Sequence, residues 1–169
     1  MSETLSPREG VDVMPYDARV IANYFLKLAE RDGSKIFPLK MQKLVYLAHG
    51  WSLALRGEPL VKDDIEAWKY GPVVPRLYHE FKKYGATAIK EPATTPVTEI
   101  DADTKALLKA VWKRYSKFTG VQLSALTHER GYAWDLTMKT ASPFFTPTIS
   151  NSLIADEFER RRQIDGSGR

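Results

Sequence analysis

The chain has 169 residues, a formal net charge of +4 at pH 7, 43% hydrophobic residues and no cysteine. One domain is the default for this length, and such a chain can bury a hydrophobic core without disulfides or metals. The absence of cysteine excludes disulfides, thiolate metal sites and cysteine nucleophiles, and it suits a reducing cytoplasm. Since no apolar run reaches membrane-spanning or signal-peptide length, we expect a soluble, cytoplasmic protein without a membrane partner.

The first predicted elements are two helices that follow an irregular start. Residues 1–15 show no period and predict a flexible N-terminal arm. Apolar residues at helical spacing predict helices over 17–31 and 38–56, and the apolar surface of the second extends beyond one stripe. We therefore expect the second helix to be central and nearly surrounded by the rest of the domain. His49 stands alone beside its apolar stripe and is interpreted as a packed or hydrogen-bonded residue.

A short strand is predicted after the second helix, where the helical period disappears. Alternation places Ile65 and Ala67 on one face and Trp68 and Tyr70 on the other. Two interpretations of the aromatic face remain open at this point. Either the domain covers both faces, as is usual for large aromatic side chains, or one face presents aromatics to a partner. The Gly-Pro pair that starts at Gly71 then forces a turn.

Helical periodicity returns in four further segments. They span about 75–84, 103–117, 119–129 and 150–162. Residues 163–169 are expected to fray. The chain is therefore predicted to be mainly α, with about six to seven helices in a single compact domain over 16–162 and a short strand or hairpin element between helices 2 and 3.

Four lysines recur every four residues along the predicted helix 103–117. They are Lys105, Lys109, Lys113 and Lys117, and their spacing places them on one side of the helix. The simplest interpretation is a solvated face that complements the helix dipole. Two functional interpretations remain open: electrostatic steering of an acidic protein partner, or contact with nucleic acid. The lack of interleaved aromatic residues disfavours nucleic acid without excluding it.

No catalytic or metal-binding pattern is present in the sequence. The three histidines, His49, His79 and His128, lie in separate segments, and none has a second histidine at metal-ligand spacing. Neither a G-x-S-x-G nucleophile motif nor a Gly-rich phosphate loop occurs. Because function has to be argued from a site, we expect a protein without enzymatic activity, metal or cofactor.

Two motifs resemble the Panacea domain of the SocA-like antitoxins, a family that also includes phage-associated GepA-type proteins. The first is the segment 39–75, LKMQKLVYLAHGWSLALRGEPLVKDDIEAWKYGPVVP, in which an apolar helix leads through a short strand to an aromatic turn. The second is a helix that ends in Thr127 and His128 and is followed by Trp134. The resemblance covers roughly 16–134, most of the chain.

This resemblance implies an antitoxin that neutralises a cognate toxin by direct protein–protein contact. Neutralisation would mask the toxin or deliver it, through an adaptor role, to a host AAA+ protease. We expect the toxin-binding surface at or beside the aromatic turn, which consists of Trp68, Lys69, Tyr70, Gly71, Pro72 and Val73. Tyr70 is expected to contribute contact energy and Trp68 mainly to pack. The alternative is a nucleic-acid-binding transcriptional regulator that uses the basic face of the helix 103–117.

Overall fold

A computed structural model of the chain describes residues 14–166. This part contains seven α-helices: α1 Ala18–Arg31, α2 Pro38–Arg56, α3 Pro75–Phe81, α4 Ala102–Tyr115, α5 Gly120–Thr127, α6 Ala133–Lys139 and α7 Asn151–Gly166. A 3-10 turn, Lys82–Tyr84, follows α3. Two strands, β1 Glu66–Trp68 and β2 Gly71–Val73, pair antiparallel. The predicted mainly α fold with a hairpin between the second and third helices is confirmed.

Helix α2 lies at the centre of the domain. It begins with Pro38, whose fixed φ suits a first helical turn, and ends at Gly57, which has a left-handed φ of 68°. Every residue over 40–52 is buried, because α1, α3, α4, α5, α7 and β2 all pack against this helix. The prediction of a central, nearly surrounded second helix is confirmed.

Helix α7 approaches α2 closely at Gly50. The ring of Phe158 lies so near that a Cβ atom at Gly50 would be 2.1 Å from its Cε2 atom. The same ring makes edge-on contacts with Tyr46 and Trp51, at centroid distances of 5.7 and 5.4 Å. A glycine in the middle of a helix weakens that helix slightly. Here it allows the packing of α7 against the core.

A buried carboxylate joins α2, α6 and α7. Glu157 is 1% exposed, and its Oε1 atom accepts hydrogen bonds from the Tyr46 hydroxyl at 2.8 Å and the Ala133 amide at 3.1 Å. Its Oε2 atom accepts from Arg161 Nε at 3.0 Å. Burial raises the pKa of Glu157, while the cationic Arg161 opposes that shift. Through the Ala133 amide, this cluster sets the start of α6.

The structure differs from the predicted elements in several places. Helix α4 ends at Tyr115, so Lys117 lies beyond it, and α5 ends at Thr127 instead of at about residue 129. Helix α3 ends at Phe81 and continues as the 3-10 turn. Helix α6 lies where no helix was predicted, because its seven residues cover about two turns and show no period. Helix α7 continues to Gly166, past the predicted end at Arg162. The predicted arm 1–15, apart from its last two residues, and residues 167–169 lie outside the described part, so the domain limits stay predictions.

Candidate partner-binding site

Strands β1 and β2 form a hairpin whose tip consists of Lys69 and Tyr70. Trp68 pairs with Gly71 at the base of this tip. Gly71 has a φ of 113°, a conformation that residues with a Cβ atom rarely adopt, and both tip residues have negative φ. A Cβ atom at Gly71 would also lie 3.0 Å from Lys43 Nζ. Conformation and space therefore both require glycine at this position.

Side chains from the helices hold the backbone of the hairpin from its inner side. Trp134 Nε1 donates to Trp68 O at 2.7 Å, His128 Nε2 lies 3.3 Å from Lys69 O, Ser124 Oγ donates to Tyr70 O at 3.4 Å, and Lys43 Nζ donates to Pro72 O at 2.9 Å. We call these four side chains the carbonyl clamp. They come from α2, α5, the residue directly after α5, and α6. The carbonyls of Trp68, Tyr70 and Pro72 thus accept from side-chain donors, and the Lys69 carbonyl faces the His128 ring.

Helix α2 contributes two adjacent polar residues that are buried beneath β2. Gln42 Oε1 accepts from the Val74 amide at 2.9 Å, and Gln42 Nε2 donates to the Val74 carbonyl at 3.1 Å. Lys43 has no exposed surface. Burial lowers the pKa of Lys43 to about 7, and no carboxylate of the described residues pairs with its ammonium group. Buried polar residues in an otherwise apolar helix therefore fix the position of β2.

The two sequence motifs meet at the hairpin. Thr127 is fully buried, and its Oγ1 atom would lie 3.0 Å from a Cβ atom at Gly71. The His128 ring packs on the Trp134 ring at a centroid distance of 4.0 Å, and its Nδ1 atom is 2.6 Å from the Ser124 carbonyl. The Thr-His pair and the following tryptophan thus support the aromatic turn directly. The two motifs are separate in sequence but form one contiguous unit in the structure.

The outer face of the hairpin is open to solvent. Trp68 is half-buried, whereas Tyr70 is 65% exposed and has Lys69 Nζ 5.5 Å from its ring centroid. On the opposite face, Ile65 and Ala67 are buried. The domain therefore covers one face of the strand and leaves the aromatic face partly exposed to solvent, which excludes coverage of both faces.

Two large side chains of α3 and α5 lie exposed near the hairpin. Tyr78 is 44% exposed and meets the Trp68 ring edge-on at a centroid distance of 4.9 Å. Val121 is 72% exposed and lies one turn before Ser124 on the same side of α5. They are exposed because α3 and α5 have only seven and eight residues, and each packs through a single narrow stripe.

A loop over 141–149 lies against the free edge of β1. The Ala67 amide donates to the Pro147 carbonyl at 2.9 Å, and the Ile149 amide donates to the Ile65 carbonyl at 2.7 Å. This pairing continues the two-stranded sheet by a single bridge. It thereby fixes the loop beside the outer face of the hairpin.

This loop presents two adjacent phenylalanines. Phe144 and Phe145 are 84% and 77% exposed. Phe145, Met138 and Trp68 line a shallow groove between the loop and the hairpin. This surface lies outside both motifs, but the sequence contains one indication of it: the stretch 140–155 has no charged residue. A pair of large apolar side chains exposed in such a stretch is typical of an interaction site.

The lysine stripe lies on a different part of the domain. Lys109, Lys113 and Lys117 are exposed, Lys105 is half-buried, and none of the four forms an ion pair within residues 14–166. Helix α4 packs mainly on α1 and α2, whereas the hairpin packs mainly on α2, α5 and α6. The structure therefore does not bring the stripe and the aromatic turn together.

The histidine interpretation is confirmed for His49. Its Nδ1 atom accepts from the Leu60 and Val61 amides at 3.3 and 3.2 Å, so the ring proton lies on Nε2, 2.8 Å from Asn151 Oδ1. Burial lowers the pKa of His49. Over residues 14–166, no group of three or more His, Asp or Glu side chains is placed to hold a metal ion. The expected absence of a cofactor stays a prediction.

The fold and the site together define a class of protein: a small helical domain with a partly exposed aromatic hairpin. A family model described as the SocA-like antitoxin, Panacea domain, matches residues 41–135, which include the second motif and all but the first two residues of the first. The chain is 35% identical over 135 residues to antitoxin SocA of Caulobacter vibrioides (strain NA1000 / CB15N), covering 74% of this chain and 72% of the relative. No solved structure matches. The chain belongs to the SocA-like, Panacea-domain antitoxin family, as the resemblance indicated.

Within the described part of the chain, no helix is both long and apolar enough to cross a membrane.

Proposed function

We propose that this protein is a non-catalytic antitoxin that neutralises a cognate toxin by direct contact through the hairpin tip and the neighbouring loop. Membership of an antitoxin family supports the role. The observation that carries the contact surface is the exposure of Tyr70, at 65%, on a backbone that four side chains hold from the inside. An exposed aromatic residue on a fixed backbone is well suited to be an interface anchor.

The energetics favour Tyr70 over Trp68 as the anchor. Tyr70 offers most of a large ring to a partner, and interface energy concentrates in such aromatic residues. A preformed tip also loses little conformational freedom on binding, which leaves more of the contact energy as affinity. Trp68 packs edge-on against Tyr78, so removing its side chain affects the hairpin itself.

The loop 141–149 extends this surface beyond the turn. Phe145 lines one groove together with Trp68 and Lys69, so a partner seated on the hairpin tip would also contact Phe145. The loop lies outside the range 41–135 that the family model matches. We propose that it contributes to the choice of toxin, while the turn supplies the contact common to the family.

We propose masking as the mode of neutralisation, because the surface is a ready apolar contact area. The protein would act in the cytoplasm, where it meets its toxin. Delivery of the toxin to an AAA+ protease is a further hypothesis, and it predicts that the toxin half-life falls when the antitoxin is co-produced. Masking predicts an unchanged or longer half-life.

The contact surface is tested with alanine variants and the toxin that co-purifies with the tagged chain from its native host. Truncating an interface anchor typically costs about 2 kcal/mol or more, which is roughly 30-fold in Kd. We expect Tyr70→Ala and Phe145→Ala to weaken binding by about that factor with an unchanged melting temperature. Trp68→Ala should lower the melting temperature as well.

Val97→Ala provides the matched control, because Val97 is fully exposed in the loop that packs beside α1. Its Kd should equal that of the wild type, measured by titration calorimetry. Wild-type affinity for Tyr70→Ala, or unfolding of that variant, would refute the proposed surface. A sequence-specific DNA footprint lost on mutating α4 would instead favour the regulator.

A further inference from the structure

We infer that the carbonyl clamp is a positioning device that fixes the conformation of Lys69 and Tyr70 before any partner binds, with Trp134 as its principal residue. The inference rests on the proposed function, since it explains how the contact surface is prepared. It also makes predictions about the free protein, which are independent of the toxin.

The hairpin needs external support because its own pairing is minimal. Each strand has three residues, and an isolated two-stranded hairpin is marginally stable in water. Two-residue loops favour turns with positive φ at one or both loop positions, yet Lys69 and Tyr70 both have negative φ. Neither tip residue has the positive φ of the tightest turns, and the positive φ falls on Gly71 instead.

The clamp binds the backbone and leaves the tip side chains free. The carbonyls of Trp68, Lys69 and Tyr70 are successive, and each one faces a different side chain on the inner side of the hairpin. A contact to a side chain of the tip would have covered the surface. Contacts to the carbonyls instead orient the chain while Tyr70 stays 65% exposed.

Trp134 makes the best-defined of these contacts. At 2.7 Å its hydrogen bond is shorter than those of Ser124 and His128, at 3.4 and 3.3 Å. The indole N–H can only donate, so the bond has one direction. The ring is further held by the His128 ring at 4.0 Å and by the start of α6, which Glu157 fixes through the Ala133 amide. Lys43 Nζ donates to the Pro72 carbonyl of β2.

The chain contains a matched control for removing this one donor. Trp112 Nε1 also donates at 2.7 Å, to Asp32 Oδ2, where α4 meets the end of α1. Replacing either tryptophan by phenylalanine keeps an aromatic ring and removes the N–H group. Trp134→Phe and Trp112→Phe therefore each delete one indole hydrogen bond of the same length, to a backbone carbonyl at the hairpin and to a carboxylate away from it.

The experiment compares both variants by amide hydrogen exchange, by 15N relaxation and by toxin affinity. In Trp134→Phe we expect the amides of β1 and β2 to exchange at least tenfold faster than in the wild type. The amides of Lys69 and Tyr70 donate no hydrogen bond within residues 14–166 and are followed by 15N relaxation. Their order parameters should fall from about 0.85 towards 0.6. The toxin Kd should rise about tenfold, mainly through slower productive association. Trp112→Phe should leave the tip dynamics and the Kd unchanged, even if both variants lose similar global stability.

Unchanged tip dynamics in a folded Trp134→Phe variant would overturn the inference. If that variant fails to fold, Ser124→Ala decides by the same readouts, because Ser124 is only partly buried and donates to the Tyr70 carbonyl. A tip that becomes mobile with an unchanged Kd would support the clamp and contradict the proposed contact surface. The two failures are thus distinguishable.

Discussion

At the scale of single residues, Lys43 is the most unusual side chain of the domain. It has no exposed surface, donates to the Pro72 carbonyl at 2.9 Å, and lies beneath the glycine that closes the hairpin tip. A lysine removed from water without a carboxylate partner resists protonation, and burial accordingly lowers the pKa of Lys43 to about 7. The residue connects the support of the hairpin to the stability of the fold.

This arrangement predicts that the protein becomes more stable between pH 7 and pH 9. In that range the unfolded chain carries a protonated lysine at position 43, whereas the folded chain releases the proton, so unfolding takes up a proton. The free energy of unfolding should therefore rise with pH, by up to about 1.4 kcal/mol per pH unit. Urea denaturation of the wild type at pH 7, 8 and 9 measures this slope.

Lys43→Met should remove most of the slope, and Lys62→Met, which alters an exposed lysine, should keep it. Equal slopes for the wild type and Lys43→Met would show that Lys43 stays protonated in the folded protein.

At the scale of secondary-structure elements, the domain separates its apolar and basic surfaces. The hairpin and the loop 141–149 carry exposed aromatic side chains, while α4 and the turn after it carry the exposed lysines. Helix α4 is capped by Asp101, whose side chain accepts from the Thr104 amide, and it packs mainly on α1 and α2. Its charges therefore act on a partner of the hairpin only at long range.

Electrostatic steering by this stripe stays a proposal, and a double charge reversal tests it. Lys109→Glu with Lys113→Glu should slow toxin association several-fold at low salt and little at high salt, because long-range attraction is screened. Lys27→Glu with Lys35→Glu gives the same change in net charge at exposed positions near α1. Stopped-flow association rates at several ionic strengths provide the measurement. Equal slowing by the two pairs would assign the effect to net charge rather than to the stripe.

At the scale of the whole molecule, the packing of α7 on α2 joins the last helix to the central helix of the domain. Gly50 and Phe158 touch directly, and the Glu157 cluster beside them ties α6 into the same contact. The position of Trp134, and with it the carbonyl clamp, depends on this packing. We therefore expect a defect at Gly50 to be felt at the hairpin.

Gly50→Ala should destabilise the protein by about 1–3 kcal/mol, even though alanine is the better helix former. The added Cβ atom would lie 2.1 Å from the Phe158 ring, so α7 would have to move. Gly50→Ala should cost less free energy of unfolding in a Phe158→Leu background than in the wild type. Gly166→Ala is the control, because nothing lies within 4 Å of a Cβ atom there. An unchanged unfolding midpoint in urea for Gly50→Ala would contradict the close packing.

Local sequence patterns by themselves determined the longer elements of this protein. The apolar period of α1, α2 and α4, the caps at Asp17, Asp101 and Thr119, and the proline at the start of α2 all act over one or two turns. Helix α6 was not predicted, because a helix of seven residues is too short to show a period. Contacts of Glu157 and Trp134 with other elements fix its position. The motifs around the aromatic turn and Trp134 indicated the family, because a motif is recognised from residue types alone and needs no knowledge of their contacts.

Only the tertiary structure decided what the motifs do together. The difference in exposure between Trp68 and Tyr70 depends on Tyr78 and on the loop 141–149. Both belong to other elements than the hairpin. The Thr-His pair and Trp134 support the turn across about sixty residues of intervening chain. The strand pattern placed Trp68 and Tyr70 on one face, but alternation specifies only the side on which a residue lies. Whether that side is covered is decided by the elements that fold against it, and no local pattern records which elements these are.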